Sequence, residues 1–184
     1  MSSPGSVQGD ERLRLFLALR LPEWVLDGVG AWQERELRDG GRIVPREHLH
    51  ITLAFLGSRP AAELAEITGV LAEAVRREHS FELEFDRYRE TRSVAMLVFR
   101  DSSGRATALA DEVQERLEAL GVYRREGRPW LPHLTVVRFR ERPRLRPTLP
   151  ELGRFAPSDA AAFLSRLHPS GARYEVLRSF PLHE

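Results

Sequence analysis

Alternating apolar and polar residues predict the strands of this chain. In RLRLFLALRL (12–21) and FELEFDRY (81–88), apolar side chains recur at every second position, which is typical of a strand with one buried face. Shorter or more uniformly apolar segments give the remaining predicted strands: 42–44, 48–57, 93–99, 132–140, 161–167 and 172–182. The turn HPSG (168–171) joins the last two of them.

Three segments have apolar residues at helical spacing and predict helices. The first begins at Pro22 and ends before Gly40, and the second begins at Pro60. The third covers 101–121 and ends at its glycine. Proline in the first turn and glycine after the last turn are typical helix boundaries, so these limits follow from backbone chemistry.

The order of these elements predicts two similar halves. Strand, helix, strand, helix and strand are followed by strand, helix, strand, a connection and two closing strands. The connection, 140–153, is rich in Pro and Arg without periodicity, and is predicted to be extended on the surface. The Arg- and Pro-rich segment 138–147 is either a simple linker or an arm that contacts a ligand. Two lobes facing each other would bring the central strand of each half to one cleft.

Composition excludes several kinds of chemistry. The 184 residues fit one domain or two small lobes with a shared core, and the net charge of +1 gives no overall field for nucleic acid. Without Cys, the chain has no thiolate nucleophile, disulfide or cysteine zinc site. All 28 basic residues are Arg, so a lysyl-adenylate, a Schiff base and the Walker phosphate loop are excluded as well.

The N-terminal residues and the longest apolar segments of the chain bear on its location in the cell. Residues 1–11 are polar and lack the apolar region of a secretory signal, so they are predicted to be a disordered tail. No apolar stretch approaches the roughly 20 residues of a membrane helix. We therefore expect a cytoplasmic protein without membrane contact, in which 12–184 form a single bilobal domain.

A repeated four-residue pattern carries the candidate chemistry. His50-Ile-Thr52-Leu is followed, 83 positions later, by His133-Leu-Thr135-Val. On a strand, the His and Thr of each copy share one face, about 7 Å apart. If the two faces meet, two imidazoles can exchange protons near neutral pH while two hydroxyls hold an oxyanion. That arrangement suits in-line displacement at a phosphodiester.

The pattern also has a structural interpretation. One His-x-Thr in a strand is more often a hydrogen-bonded pair with no further role, but two copies that both interrupt apolar strands indicate a shared function. His48 has the parity of His50 and is predicted to be a strand-entry residue at the rim of the cleft. The alternative is that it shifts the pKa of His50 by like-charge repulsion. His79, His168 and His183 lack ligand spacing, so no metal site is predicted.

The two motif segments resemble a known family. HLHITLAFLG and HLTVVRF are similar to the paired H-x-T-[LV] signatures of the 2H phosphoesterase superfamily, and within it to the bacterial and archaeal RNA 2′,3′-cyclic phosphodiesterases, also called 2′-5′ RNA ligases. RLFLALRLPEWV and LSRLHPSGARYEVLRSFPL extend the resemblance to both ends. It implies an α+β fold of two pseudo-symmetric lobes of antiparallel sheet, with outer helices around a central cleft.

The resemblance also implies roles for individual residues. His50 and His133 would be the acid–base pair, and Thr52 and Thr135 the hydroxyls that bind phosphate. The activity implied is metal-independent and cofactor-free opening of a terminal 2′,3′-cyclic phosphate to a 2′-phosphomonoester, with reversible 2′-5′ ligation without ATP as a secondary activity. Arg138 fills the family's Arg position five residues after the second His. Strand parity places it on the opposite face unless the strand twists or bulges.

The remaining expectations concern proton roles and partners. His133 is expected to activate water while His50 protonates the departing 3′ oxygen. Arg128, in the basic loop before the second motif, and Phe16, on the first strand, are candidates for contact with RNA, although Phe16 also suits the core. RNA ends with a 2′,3′-cyclic phosphate are the expected partner of a monomer.

Two alternatives remain open. The same four motif residues could serve an enzyme acting on a small nucleotide cyclic phosphate or a 2′-5′ oligonucleotide. A non-catalytic module that binds RNA ends is the third possibility, although binding alone does not require two groups that titrate near pH 7.

Overall fold

Two antiparallel sheets form in the computed structural model, which describes residues 11–182. The first has the order β3-β1-β8-β9, with β1 (Arg12–Arg20), β3 (Ile51–Pro60), β8 (Asp159–His168) and β9 (Gly171–Pro181). The second has the order β2-β6-β5-β4-β7, with β2 (Arg42–Ile43), β4 (Leu83–Glu90), β5 (Val94–Arg100), β6 (His133–Arg138) and β7 (Arg154–Phe155). The predicted α+β fold with two lobes of antiparallel sheet is thus confirmed.

Three helices pack on the outer faces of the sheets: α1 (Glu23–Glu36), α2 (Leu64–Arg77) and α3 (Arg105–Ala119). The first of them follows β1 of the first sheet but packs on the second, where Trp32 meets Tyr88 of β4 with ring centroids 6.4 Å apart. Conversely, α3 follows β5 of the second sheet and contacts β3 of the first, beside α2. Each lobe is therefore covered by a helix whose preceding strand lies in the other lobe.

Strand β1 is buried on both faces because each face packs in a different apolar cluster. Leu15, Leu17 and Leu19 join the main core with the helices. On the other face, Phe16 and Ala18 form a smaller cluster with side chains of β8. This second cluster matters for function because it lies under the cavity described below.

The division into lobes differs from the division of the chain into halves. The closing hairpin β8–β9 joins β1 and β3, while β2 leaves the first half to pair with β6. Arg20 of β1 forms a two-pronged ion pair with Asp159 of β8, 139 positions away. The linear order of the elements does not reveal such pairing between distant segments.

The first motif segment does not begin as a strand. Residues Arg46–His48 form a 3₁₀ turn after Pro45, and β3 begins at Ile51 instead of residue 48. The turn is closed by a hydrogen bond from the His48 amide to the Pro45 carbonyl at 2.9 Å. The strand prediction for His48 was therefore wrong, because a local turn replaces the alternation on which it depended.

The connection 140–153 contains no strand or helix, as predicted, and is anchored to the body of the protein. Glu90 accepts hydrogen bonds from the backbone amides of Arg144 and Leu145, at 2.9 and 2.7 Å. The Trp32 indole donates to the Thr148 carbonyl at 2.6 Å. These contacts hold the connection against α1 and β4. The two-residue strand β7 that follows it was not predicted.

Two of the sequence-based expectations fall at the chain ends. Residues 1–10 of the predicted tail and His183 lie outside the described residues. Glu11, at the edge of that tail, accepts a hydrogen bond from the Ala61 amide at 2.8 Å. Within residues 11–182, none of the helices is both long and apolar enough to cross a membrane.

Candidate active site

Both H-x-T motifs line one cavity between the two sheets. Its volume is about 570 Å³, and its walls come from β1, β3, β6, β8 and β9 together with the segment 42–50. All four motif residues predicted from the sequence reach it: His50, Thr52, His133 and Thr135. The central geometric expectation, that two distant segments converge, therefore agrees with the structure.

The His50 imidazole has a defined tautomer. Its Nδ1 lies 2.7 Å from the His48 carbonyl, which can only accept, so Nδ1 carries the proton. In the neutral ring Nε2 is then an acceptor, and it lies 3.1 Å from the Thr52 hydroxyl. Thr52 consequently donates to His50 in this structure.

Aromatic side chains surround His50. The rings of Phe16, Tyr174 and Phe163 lie 4.8, 5.6 and 6.1 Å from its centroid. Burial lowers the pKa of His50 to about 4, against the opposing effect of the hydrogen bond to the His48 carbonyl. The charges of His133, His48 and Arg138 lower this pKa further. His50 is therefore neutral at pH 7.

His133 has the same backbone anchor but different neighbours. Its Nδ1 donates to the Leu131 carbonyl at 2.8 Å, which leaves Nε2 as the nitrogen available for proton transfer. The ring is half-buried, and within residues 11–182 it stacks on no aromatic side chain. Its charge reaches His50, as the lowered pKa of that group records.

A bulge in β6 decides where Arg138 points. In the pairing of β6 with β5, Thr135 and Val137 face consecutive residues of β5, so Val136 has no partner there. A bulge shifts the alternation by one residue. Val136 and Val137 are both fully buried, and Arg138 returns to the face of Thr135, where it lines the cavity. The sequence placed Arg138 on the opposite face unless the strand twisted or bulged, and β6 does contain such a bulge.

Strand β3 has a bulge at the equivalent position. Thr52 and Ala54 face consecutive residues of β1, and Leu53 is the extra residue. Leu53 and Ala54 are both buried, and Phe55 turns into the cavity with 49% of its surface exposed. Phe55 thus holds, in the first motif, the place that Arg138 holds in the second.

The cavity is positively charged. Its lining contains three arginines and three histidines: Arg14, Arg42, Arg138, His48, His50 and His133. No carboxylate is among the described residues that line it. Arg14 also lies over the Phe55 ring, 4.9 Å from its centroid. Cationic and hydroxyl groups without an acidic neighbour suit an anionic phosphodiester.

The two further candidates differ in position. Phe16 lines the cavity and is only 2% exposed, so it both packs in the core and forms a wall beside His50. Arg128 does not reach the cavity. It lies in the exposed loop 124–129, where its guanidinium is paired with Glu126 at 2.6 Å. Contact of Arg128 with the same phosphate would require that pair to open and the loop to move.

Several lining residues escaped sequence reasoning. Tyr174 of β9 stacks on His48 at 4.4 Å and contacts His50, and Ser165 of β8 is a buried hydroxyl in the same wall. Register explains their place, since Ser165 and Tyr174 are paired across the β8–β9 hairpin. His48 also lines the cavity. Among residues 11–182, no three His, Asp or Glu side chains are grouped as a metal site.

The chain matches a family model and several known proteins. Residues 22–168 match the family model described as the 2′-5′ RNA ligase superfamily. A Thermus thermophilus protein named RNA 2′,3′-cyclic phosphodiesterase is 33% identical over 183 residues, covering 92% of this chain and 90% of its own. One of the same name from Methanocaldococcus jannaschii is 25% identical over 178 residues, covering 91% and 100%.

Solved structures confirm the fold. Escherichia coli LigT complexed with 3′-AMP superposes with a TM-score of 0.82 at 23% identity, covering 95% of this chain and 100% of its own. The crystal structure of a Thermus thermophilus protein superposes with a TM-score of 0.77 at 29% identity, covering 92% and 98%. The similarity to LigT at this identity concerns the fold alone.

Proposed function

The chain belongs to the 2′-5′ RNA ligase superfamily, and from this membership we propose that it opens the 2′,3′-cyclic phosphate at an RNA end to leave a 2′-phosphomonoester. The supporting observation is the convergence of two imidazoles, two threonines and Arg138 on one cavity whose described lining lacks carboxylates. The relatives named RNA 2′,3′-cyclic phosphodiesterase support the same reaction.

In this proposal, binding and charge stabilisation come from fixed groups. The Thr52 and Thr135 hydroxyls donate to the non-bridging phosphoryl oxygens, and Arg138 neutralises their charge. Thr52 has to release the His50 Nε2 to do so, since it donates to that nitrogen in this structure. The negative charge that builds up in the transition state then meets Thr135 and Arg138, which already line the cavity, and the released hydroxyl of Thr52.

Proton transfer follows from the shared tautomer of the two rings. Because each Nδ1 is held by a backbone carbonyl, each Nε2 is left to exchange protons with the substrate. His133 takes the proton of the attacking water, and His50 protonates the departing 3′ oxygen. The low pKa of His50 adds a condition: His50 must gain its proton together with the anionic phosphate, whose charge raises this pKa.

Two further features belong to the proposal. In ligation a 5′ hydroxyl replaces water: His133 takes its proton and His50 protonates the departing 3′ oxygen, which leaves a 2′-5′ link without ATP. By microscopic reversibility, the roles of the imidazoles are exchanged when that link is cleaved back to the cyclic phosphate. No step uses a metal ion. RNA as the partner, a monomeric state and a cytoplasmic location also remain predictions.

The decisive experiment supplies a short RNA ending in a 2′,3′-cyclic phosphate and resolves 2′- from 3′-phosphate products by chromatography. We expect only the 2′-phosphate, at a rate that EDTA leaves unchanged. The control is a matched RNA with a 3′-phosphate, which should not react. A 3′-phosphate product, or activity lost on chelation, would contradict the proposed mechanism.

The same assay separates the alternatives. A cyclic mononucleotide is tested beside the oligonucleotide at equal concentration. A higher kcat/KM for the oligonucleotide supports an RNA substrate, whereas preference for the mononucleotide favours a small-nucleotide enzyme. Tight binding of cyclic-phosphate RNA with no product would favour the third alternative, a non-catalytic module that binds RNA ends.

A further inference from the structure

Two buried glutamines touch the motif strands from behind. Gln33 of α1 is 2% exposed, and its Nε2 donates to the Val136 carbonyl at 2.8 Å. Gln114 of α3 is 8% exposed, and its Nε2 donates to the Leu53 carbonyl at 2.7 Å. Val136 and Leu53 are the fourth residues of their motifs, so the two contacts are equivalent across the pseudo-symmetric lobes.

These carbonyls belong to the two bulged residues. A bulge leaves its extra residue outside the regular ladder, and a buried polar group without a strong partner costs free energy. At Val136 the Gln33 amide also donates to the Val44 carbonyl at 3.1 Å, while the Val44 amide donates to the Val136 carbonyl at 3.0 Å. Gln33 therefore ties the bulge to the segment that follows β2.

The position of Arg138 depends on this bulge. Without the extra residue at Val136, strand parity would turn Arg138 away from Thr135 and out of the cavity. The backbone of Arg138 is also closely packed, because a side chain at Gly41, whose φ is +132°, would meet the Arg138 carbonyl at 2.5 Å. Gln33 of α1 thus contacts the backbone at the bulge, and Gly41, in the segment between α1 and β2, packs closely against the backbone of Arg138.

We propose that Gln33 is a positioning residue of the phosphate site: by holding the Val136 bulge it keeps Arg138 directed into the cavity. Gln114 holds the matching bulge at Leu53, and there the residue turned inward is Phe55. The inference rests on the proposed function at one point only, namely that Arg138 binds the phosphate group. Gln114 consequently provides a natural control. It donates the same hydrogen bond to a bulge carbonyl, but the residue that this bulge directs into the cavity is Phe55 instead of an arginine.

Replacement of Gln33 by Met tests the inference, because it keeps length and apolar bulk but removes both donated bonds. Gln33→Glu gives an intermediate variant, since a buried carboxyl that remains protonated can donate to one carbonyl only. The readout is the Kd for inorganic phosphate, measured by calorimetry in the wild type, Gln33→Glu, Gln33→Met, Arg138→Met and the double variant Gln33→Met/Arg138→Met.

We expect Gln33→Met to weaken phosphate binding roughly 5- to 50-fold, within the range of coupling in a hydrogen-bonded network. Gln33→Glu should lie between Gln33→Met and the wild type. In the Arg138→Met background, Gln33→Met should add less than about twofold, because the group it positions is gone. Equal losses with and without Arg138 would overturn the inference, and so would a Kd that none of the Gln33 variants changes.

Two controls separate positioning from general destabilisation. Thr68→Val removes a buried bond within α2, where the hydroxyl donates to the Leu64 carbonyl at 2.9 Å, and should lower Tm without changing the phosphate Kd. Gln114→Met should also lower Tm, and its effect on the Kd should be additive with that of Arg138→Met. If Gln114→Met couples to Arg138 as strongly as Gln33→Met does, the assignment to Gln33 fails.

The phosphate readout keeps this inference distinct from the proposed reaction. If Gln33 and Arg138 are coupled but cyclic phosphates are not opened, the reaction is wrong and the positioning role stands. If cyclic phosphates are opened while the two residues act independently, only the positioning role is wrong. A wild type that neither binds phosphate nor opens the cyclic ester would overturn both.

Discussion

The two motif strands share a backbone design and differ in what surrounds it. In both β3 and β6, the His Nδ1 donates to the carbonyl two residues earlier, the fourth motif residue is bulged, and a helix glutamine binds its carbonyl. The fifth residue after the His is Phe55 in β3 and Arg138 in β6. One repeat therefore provides an aromatic wall, and the other provides a cation.

The outer edges of the two strands are also held differently. β3 is an edge strand of its sheet, and beside Gln114 the Trp130 indole binds the Thr52 carbonyl at 2.9 Å. β6 is paired along that edge by the backbone of β2 as well as by Gln33. The comparison teaches that the repeat fixes the geometry of each imidazole, whereas its neighbours set the proton affinity and the charge around it.

The largest expected effect comes from removing either imidazole. His50→Ala and His133→Ala should each lower turnover of an RNA cyclic phosphate by about 10²- to 10⁴-fold, as for a lost general acid or base. With an aryl phosphodiester, whose leaving group needs no proton, His50→Ala should lose much less than His133→Ala. Thermal unfolding is the control for the fold. Equal losses on both substrates would show that His50 is not the acid.

The hydroxyls should come next. Thr52→Val and Thr135→Val should each cost roughly 2–4 kcal/mol of transition-state stabilisation, if each hydroxyl acts as an oxyanion donor. Because Thr52 donates to His50 before substrate binds, only Thr52→Val should shift the profile of kcat/KM against pH, which reports the free enzyme. Comparison of kcat/KM against pH for the two variants checks this, and identical shifts would contradict the difference between the strands.

The burial of His50 should appear in stability. Its folded pKa is about 4 against 6.5 in the unfolded chain, so between these values the unfolded state holds a proton that the folded state lacks. The free energy of unfolding should therefore fall as pH drops through this window, by about 3 kcal/mol at pH 4. Urea titrations at pH 7 and pH 4 measure it. His50→Gln should remove this loss, while His133→Gln, the matched control, should retain it.

The smallest expected effects concern the fifth positions. Arg138→Met should weaken phosphate binding by roughly 1.5–3 kcal/mol, the range for hydrogen bonds to a charged group. It should also reduce the salt dependence of the Kd. Phe55→Leu is the matched change in β3 and should leave that Kd within about twofold, since Phe55 carries no charge. A comparable loss in both variants would mean that the two positions are not differentiated.

Much of the fold was readable from local patterns. Alternation and helix boundaries predicted eight of the nine strands and all three helices among the described residues. The short β7 was missed because Arg154 and Phe155 follow a Pro-rich segment without periodicity. The assembly of each lobe from distant strands was not predictable in detail, since long-range register is not encoded in any single window.

The site shows the same limit. The motif spacing identified His50, Thr52 and their counterparts, but not the aromatic contacts or the low pKa of His50, which depend on strands β8 and β9. A signal for the bulges was nevertheless present. Leu53-Ala54 and Val136-Val137 each break the alternation with two adjacent apolar residues, and both pairs are buried. Such a doublet predicts that the following residue returns to the functional face.

The pairing of β1 with both β3 and β8 has a consequence for synthesis. During translation, β1 and β3 leave the ribosome long before Asp159, the partner of Arg20 at 139 positions' distance. One edge of β1, an apolar strand, stays unpaired throughout that interval, which favours chaperone binding and slow completion of the fold. Proteolysis of ribosome-bound chains stalled before and after β8 would reveal the change, and early protection of β1 would contradict it.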